Sequence, residues 1–286
     1  MTRASRSLMV VLVLGVAAAS GCATSERGLT APDYWPSGAH WKQAARNAIK
    51  SPGTWIPLIG VGVVSIDDWD QHISEWAVEN TPVFGSTENA SDASGYLKAA
   101  TSVAMVGTAL AVPNADGPWE RKPERLLLEF GAVQVNNLAT SFLKSVTDRE
   151  RPDGEDDRSF PSGHASQSSA RATLACRNVD EIPSLSKGWR TTFKTSFRMI
   201  AAGTAWARVE AGKHYPSDVL FGSALGNFVA VFIYDAFLPE NAAPRLDLTL
   251  SRKEVSLSLN SNFSNFRYPG SSSGPATTLG FPASTT

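Results

Sequence analysis

Three short clusters carry the residue types that could bind and transform a tetrahedral oxyanion. Lys144-Ser-Val-Thr-Asp-Arg-Glu-Arg151-Pro152 offers two cations. Pro161-Ser162-Gly163-His164 offers a glycine turn and an imidazole. Arg208-Val-Glu-Ala-Gly-Lys-His214-Tyr-Pro-Ser-Asp218 offers a guanidinium, a second imidazole and a carboxylate. An Arg fork grips two oxygens at once, whereas Lys acts as a point charge. An imidazole attacks or carries protons near neutral pH. Each cluster taken alone also has a plain reading: a solvated charge run around Asp148, Arg149 and Glu150, a structural His at a helix start, and a loop His capped by a nearby Asp.

The flanking elements decide whether these groups can converge. A helix predicted over Glu124–Ser145 delivers Lys144 at its C-terminal end, and Pro152 disfavours helix at Arg151, so the helix ends between the two cations. The second cluster precedes a predicted helix over 164–177. The first N–H groups of a helix lack internal partners, and Gly163 permits close backbone approach, so together they make an anion cradle. Ser162 can cap that helix or donate its hydroxyl to the anion. Arg208 ends a helix predicted over Thr192–Arg208, and His214 lies in a loop closed by Gly212 and Pro216. Asp218 opens a further helix to Leu238. Its carboxylate can accept the N–H of one His214 nitrogen and leave the other lone pair free to attack.

The order and spacing K-x6-R-P, then P-S-G-H, then R-x5-H-x3-D resembles the type 2 phosphatidic acid phosphatase superfamily. That superfamily includes bacterial class A acid phosphatases, membrane lipid phosphatases and vanadium haloperoxidases. The diagnostic part covers roughly 140–222, and the helical pattern extends it to about 98–238. Ala207 departs from the Ser that many members carry before the Arg. The resemblance implies an all-α helical bundle of the acid phosphatase/vanadium haloperoxidase type. By the same carry-over, Lys144, Arg151 and Arg208 hold the phosphoryl oxygens, with Ser162 and the Gly163 N–H completing the cradle. His214 attacks phosphorus to form a phosphohistidine, Asp218 orients it, and His164 protonates the leaving oxygen and then activates water. No cofactor and no metal are expected, because fixed cations already neutralise the transition state. Vanadate is expected as an inhibitor. The implied activity is hydrolysis of phosphate monoesters, soluble or lipid-linked. A vanadium-dependent haloperoxidase and a noncatalytic phosphate-binding envelope lipoprotein are the alternatives.

Elsewhere the pattern predicts helices over Trp41–Lys50, from Asp67 to about Glu79, and over Lys98–Val112. Pro52, Gly53 and Pro57 read as interruptions. The Asn-, Ser-, Gly- and Thr-rich stretch from Asn80 to Gly95 reads as a long loop. His72 with Asp68 either binds a cation, lies near the site, or marks a solvated helix start. The segment from Asp218 to Leu238 is the most apolar, and its Asn227 and Asp235 favour a core helix over a membrane span. After Pro244 the alternation of Leu246, Leu248 and Leu250, then Val255, Leu257 and Leu259, predicts a β-hairpin. The expected organisation is a leader over 1–21, a tether over 22–40, a helical domain over 41–243, a hairpin over 244–266 and a disordered tail over 267–286.

The N-terminus supplies an address. Arg3 and Arg6 precede a short apolar run, Leu8–Ala19, that ends in Ala19-Ser20-Gly21-Cys22. This resembles a lipoprotein box in which Cys22 takes the lipid; ordinary leader cleavage and a transmembrane anchor are the other readings. With Ala23 after the Cys, the resemblance to Gram-negative lipoproteins implies the outer membrane, facing the periplasm. The net charge of −1 gives no sign of nucleic-acid binding, and loss of the two leader arginines makes the exported chain more acidic. With only two cysteines in the chain, lipid on Cys22 leaves Cys176 alone. Cys176 reads as a buried, inert thiol.

Overall fold

The computed structural model describes residues 36, 38–113, 122–237, 245–250 and 255–260. The leader, Cys22, the tether as far as 35 and the tail over 267–286 lie outside the described residues. Eight helices are described: α1 Gly38–Lys50, α2 Pro52–Val64, α3 Trp69–Asn80, α4 Thr87–Ala111, α5 Lys122–Thr147, α6 Gly163–Asp180, α7 Lys187–Glu210 and α8 Pro216–Phe237. Two strands follow, β1 Arg245–Leu250 and β2 Val255–Asn260, paired antiparallel. Their register places Leu246 opposite Leu259, Leu248 opposite Leu257 and Leu250 opposite Val255.

The bundle is organised around α6, which packs against α4, α5, α7 and α8. The helix can serve four neighbours because its buried face is built from small residues: Ala165, Ser166, Ser168, Ala170, Ala172 and Ala175. The approach of α8 is closest. A Cβ at Gly226 would stand 2.1 Å from the Ser166 carbonyl oxygen, and one at Gly222 would stand 2.6 Å from that of Ser162. Only glycine allows backbones this near. A buried polar knot ties α5 to the same helix: Asn136 Nδ2 donates to Ser166 Oγ at 2.6 Å, and Thr140 Oγ1 lies 2.9 Å from it.

Two expectations need correction. The stretch 80–95 is not a long loop, because α4 begins at Thr87. Ser86 caps it by accepting the Asn89 N–H at 3.1 Å, and Ala90 and Ser94 are buried one turn apart. Small polar residues that look loop-like serve here as a close-packing face. Nor do Pro52, Gly53 and Pro57 interrupt the chain. Pro52 occupies the start of α2, where a missing N–H costs little, and Gly53 lies four residues before Pro57, where a proline ring presses on the backbone. A Cβ at Gly53 would also strike Asn227 of α8, at 2.3 Å.

Among the described helices, α8 alone is long and apolar enough to cross a membrane by length and composition, and 56% of its apolar window is buried. It packs on α6, α2, α5 and α1, in the manner of a core helix. The charge-free α2 is different: Trp55, Ile56, Ile59 and Val63 on it are exposed.

Candidate active site

Four helix ends come together at the candidate site, beside Ser94 and Lys98 in the middle of α4. The C-terminus of α5 brings Lys144, the loop after it brings Arg151, and the N-terminus of α6 brings Ser162, Gly163 and His164. The end of α7 brings Arg208, the α7–α8 loop brings His214, and the first turn of α8 brings Asp218. The close α6–α8 crossing sets the last groups together, and the Ser162 N–H donates to the Asp218 carbonyl at 3.0 Å. As expected, α5 ends between the two cations, with Asp148 turning left-handed at φ 41°.

Arg208 is 7% exposed, and its Nη1 donates to Ser94 Oγ at 3.3 Å. Its Nε has no hydrogen-bond partner among the described residues, and none of their ion pairs uses it. Burial, then the Arg151 charge, lowers its guanidinium to about 10. A buried, underused guanidinium is a strong anion receptor. Lys144 hydrogen-bonds the Arg158 carbonyl, and burial together with Arg151 lowers it to about 8. Arg151 is held by Asp156, whose Oδ1 lies 2.6 Å from its Nε, and at 3.6 Å by Glu155.

His214 is 3% exposed, with Nδ1 turned to Asp218 Oδ2 at 3.7 Å. Nδ1 has no hydrogen-bond partner at that distance, and Nε2 lies on the opposite side of the ring. Burial is the main reason its imidazole is lowered to about 4; Asp218 pulls the other way and Lys144 and Arg208 add to the lowering. His214 is therefore neutral near pH 7, with a lone pair available. His164 is lowered further, to about 3, by burial first and then by Arg208, Lys98, His214 and Arg151. Ser162 is fully buried and caps α6 with a long 3.5 Å contact to the Ala165 N–H. A Cβ on Gly163 would meet only Thr140 Cγ2, at 3.9 Å, so packing does not demand this glycine.

Asp218 is fully buried and its oxygens are in use. Oδ2 accepts from Ser159 Oγ at 2.5 Å and from the Tyr215 N–H at 2.9 Å, and Oδ1 accepts from Arg149 Nη1 at 2.6 Å. Burial alone would raise this carboxyl; His214, Ser159, Arg149 and the Tyr215 N–H together hold it below its ordinary value.

Sequence reasoning missed three participants. Arg149, read within a solvated charge run, forks between Asp218 and Asp70 and stacks 4.2 Å over the Tyr215 ring. Asp70 in the first turn of α3 accepts the Ser217 N–H at 2.7 Å and so caps α8 from outside. Lys98 of α4 places Nζ 3.2 Å from His164 Nε2. The pairing of His72 with Asp68 is not part of this site; His72 lines a small cleft with Trp69, Ile73 and Trp76. No group of three or more His, Cys, Asp or Glu that could hold a metal occurs among the described residues. A cavity of about 730 Å³ between α2, α6, α7 and α8 is apolar and contains none of the phosphate-site residues. Cys176 is buried, free and raised by that burial, as an inert thiol should be.

Comparison with known proteins bears on the same segment. No curated protein was found to match the chain. Among solved structures, a transmembrane PAP2-type phosphatidylglycerolphosphate phosphatase from Bacillus subtilis matches with a TM-score of 0.48 and 22% identity, over 63% of this chain and 90% of its own. Residues 147–241 match the model of the PAP2 superfamily. That stretch includes Arg151, Ser162, Gly163, His164, Arg208, His214 and Asp218, and spans about a third of the chain.

Proposed function

We propose that this protein is a phosphatase that cleaves phosphate monoesters through a phosphohistidine. The observation that carries the reading is the pairing of two imidazoles, both held unprotonated, with a buried guanidinium that has no carboxylate partner among the described residues. A bound phosphoryl group would be gripped by Arg208, Arg151, Lys144 and the open N–H groups of α6. His214 Nε2 forms a bond to phosphorus as the P–O bond to the leaving group breaks. His164 takes up a proton as the phosphoryl anion enters and offsets the surrounding cations, delivers it to the departing oxygen, and then removes one from the water that cleaves the P–N bond. Asp218 faces the Nδ1 side of His214 and balances the positive charge on the phosphorylated ring.

The setting we propose is the periplasmic face of the outer membrane, with lipid on Cys22. The exposed apolar side of α2 suits a protein held at a lipid surface. The ester is soluble or lipid-linked in this reading. The test is hydrolysis of p-nitrophenyl phosphate by the purified mature chain in EDTA, with acid-labile radiophosphate trapped on the protein. His214→Ala should abolish both signals, and millimolar vanadate should inhibit. Full turnover in His214→Ala would remove the nucleophile assignment.

A further inference from the structure

The apolar cavity between α2, α6, α7 and α8 is not used by the phosphate site. Its floor is α6 and α8, which pack closely on each other, and its walls are α2 and α7. It runs along α8 from Asn227 back to Pro216, about 16 Å in rise. The two ends differ. Pro52, Gly53, Ile56 and Arg198 are exposed and form a mouth. A Cβ on Gly53 would meet Asn227, and Thr173 Oγ1 donates to Asn227 Oδ1 at 2.9 Å, so the mouth is at the Asn227 end. The Cys176 thiol contacts the Lys194 carbonyl at 3.6 Å, so α7 runs back along α6 and brings Arg198 level with Thr173. Val209, Pro216 and Val219 are buried and close the other end, behind the loop that carries His214. The hydroxyl and amide groups of the lining serve one another: Asn227 Nδ2 donates to Ser51 Oγ, Ser169 to the Ser223 carbonyl, and Ser223 to the Val219 carbonyl. Arg198 is the charged residue of the lining, and no ion pair or hydrogen bond among the described residues uses it.

Shape and charge together say what fits. A volume of 730 Å³ over about 16 Å leaves a channel about 7–8 Å across, narrower than the ~10–12 Å of a helix with its side chains. A hydrocarbon chain passes; a helix from a second copy does not. The blind apolar end takes the tail, and the guanidinium at the mouth takes an anionic head. An Arg fork matches the two oxygens of a carboxylate, while its own methylenes lie along the apolar wall. We propose that this cavity is a binding site for one long-chain carboxylate, with its head on Arg198 and its tail running toward Pro216. The head and the phosphate cradle are then at opposite ends of α7, so this ligand is not the phosphate ester. The exposed apolar face of α2, with Trp55 and Ile59, adjoins the mouth and gives such a ligand a route from a lipid surface.

Fluorescence titration of the purified mature chain with 9,10-dibromostearate, below its micelle concentration, tests the site. Trp206 lines the cavity on α7, about 12 Å in rise beyond Arg198 and level with the middle of a bound chain. Bromine quenches only a tryptophan that it approaches, so quenching should saturate and Trp206→Phe should remove most of it. The methyl ester of the same acid lacks the charge and should bind at least about tenfold more weakly, the scale of one charge-assisted contact. Arg198→Gln should bring acid and ester to within about threefold of each other, and Arg198→Lys should retain most of the difference. Ala202→Phe narrows the channel and should weaken both. Arg198 and Ala202 are exposed, and each acid-to-ester ratio is taken within one protein, so partial misfolding does not distort it. Equal affinity for acid and ester in the parent, or full quenching in Trp206→Phe, overturns the site. Displacement of the acid by saturating sulfate overturns it too, by putting the carboxylate in the phosphate cradle. Self-association of the chain that the acid disperses would give the groove to a second copy and likewise overturn it. No turnover is read, so the result stands apart from the phosphatase reading. Normal p-nitrophenyl phosphate hydrolysis beside equal acid and ester affinities removes the groove alone.

Discussion

Arg149 and Asp218 form the buried end of a relay: Nη1 of the guanidinium donates to Oδ1 of the carboxylate at 2.6 Å, while Nη2 reaches Asp70 at 2.7 Å. Asp70 in turn holds the Ser217 backbone and hydroxyl at the start of α8. One planar fork therefore joins α3, the α5–α6 loop and the helix that carries the carboxylate behind His214. Lys cannot serve two acids this way. Arg149→Lys and Arg149→Met should each lower kcat/KM by about 10²-fold, the usual cost of losing one preorganised charged contact. The Met variant should also lose about 2 kcal/mol of stability, less than a fully buried pair because Arg149 is 34% exposed. A thermodynamic cycle gives the specific check. Asp70→Asn should cost clearly less in the Arg149→Met background than alone, and strict additivity would show that the relay is not coupled.

That relay also shows where sequence reasoning stops. Ser162, Gly163, His164, Arg208, His214 and Asp218 were legible because they sit at helix ends marked by Pro and Gly, within fixed local spacings. Arg149 was not, because its partners lie 69 and 79 residues away and its immediate neighbours, Asp148 and Glu150, resemble a solvated surface. Lys98 was hidden for a related reason. The Ser- and Asn-rich start of α4 reads as loop, so Lys98 looked like the beginning of a helix rather than a residue in its middle facing the site. Helix existence was mostly readable from period and capping; the close packing of α4 and α8 on α6 depends on small residues, which periodicity treats as weak signal.

Gly226 gives that packing a direct test. An added methyl would stand 2.1 Å from the Ser166 carbonyl oxygen and 3.0 Å from the Ala170 nitrogen, so α8 must move away from α6. Gly226→Ala should destabilise by about 1–3 kcal/mol, the range for overpacked interiors. It should also lower kcat, because the same crossing sets Asp218 beside Ser162. Gly131 of α5 is the control, with nothing within 4 Å of an added Cβ. Gly131→Ala should leave stability unchanged or raise it by about 0.5–1 kcal/mol. Chemical denaturation of both variants decides the matter, and equal effects at the two positions would refute a close α6–α8 contact.

Glu129 should make stability fall as pH rises. The carboxyl is 1% exposed on α5, and neither oxygen has a hydrogen-bond partner among the described residues. Burial raises it to about 7 against the opposing pull of Asn178 and Arg125. The folded chain keeps a proton that the unfolded chain releases above its ordinary value near 4.5. The stabilising contribution is full below that value and is lost progressively as pH climbs to about 7. Melting curves of Glu129→Gln should therefore gain on the parent from about pH 5 to pH 7 and then run parallel. A constant offset across that range would place the carboxylate in a solvated or paired setting.

The two imidazoles should give the opposite slope and should link it to anion binding. His164 and His214 are lowered to about 3 and about 4 from an ordinary 6.5. As pH falls through 6.5 the unfolded chain takes up protons that the empty site refuses, so stability is lost toward about pH 4. An oxyanion in the cradle offsets the Arg208, Arg151, Lys98 and Lys144 charges and makes protonation easier. Proton uptake and anion binding must then favour each other. Sulfate is the clean probe, since it stays dianionic throughout the window. Its dissociation constant should fall severalfold between pH 6.5 and pH 4.5, with net proton uptake measurable by titration in buffers of different ionisation enthalpy. His164→Gln should flatten that dependence by removing one of the two acceptors. Sulfate affinity independent of pH in the parent protein would mean that neither imidazole faces the bound anion.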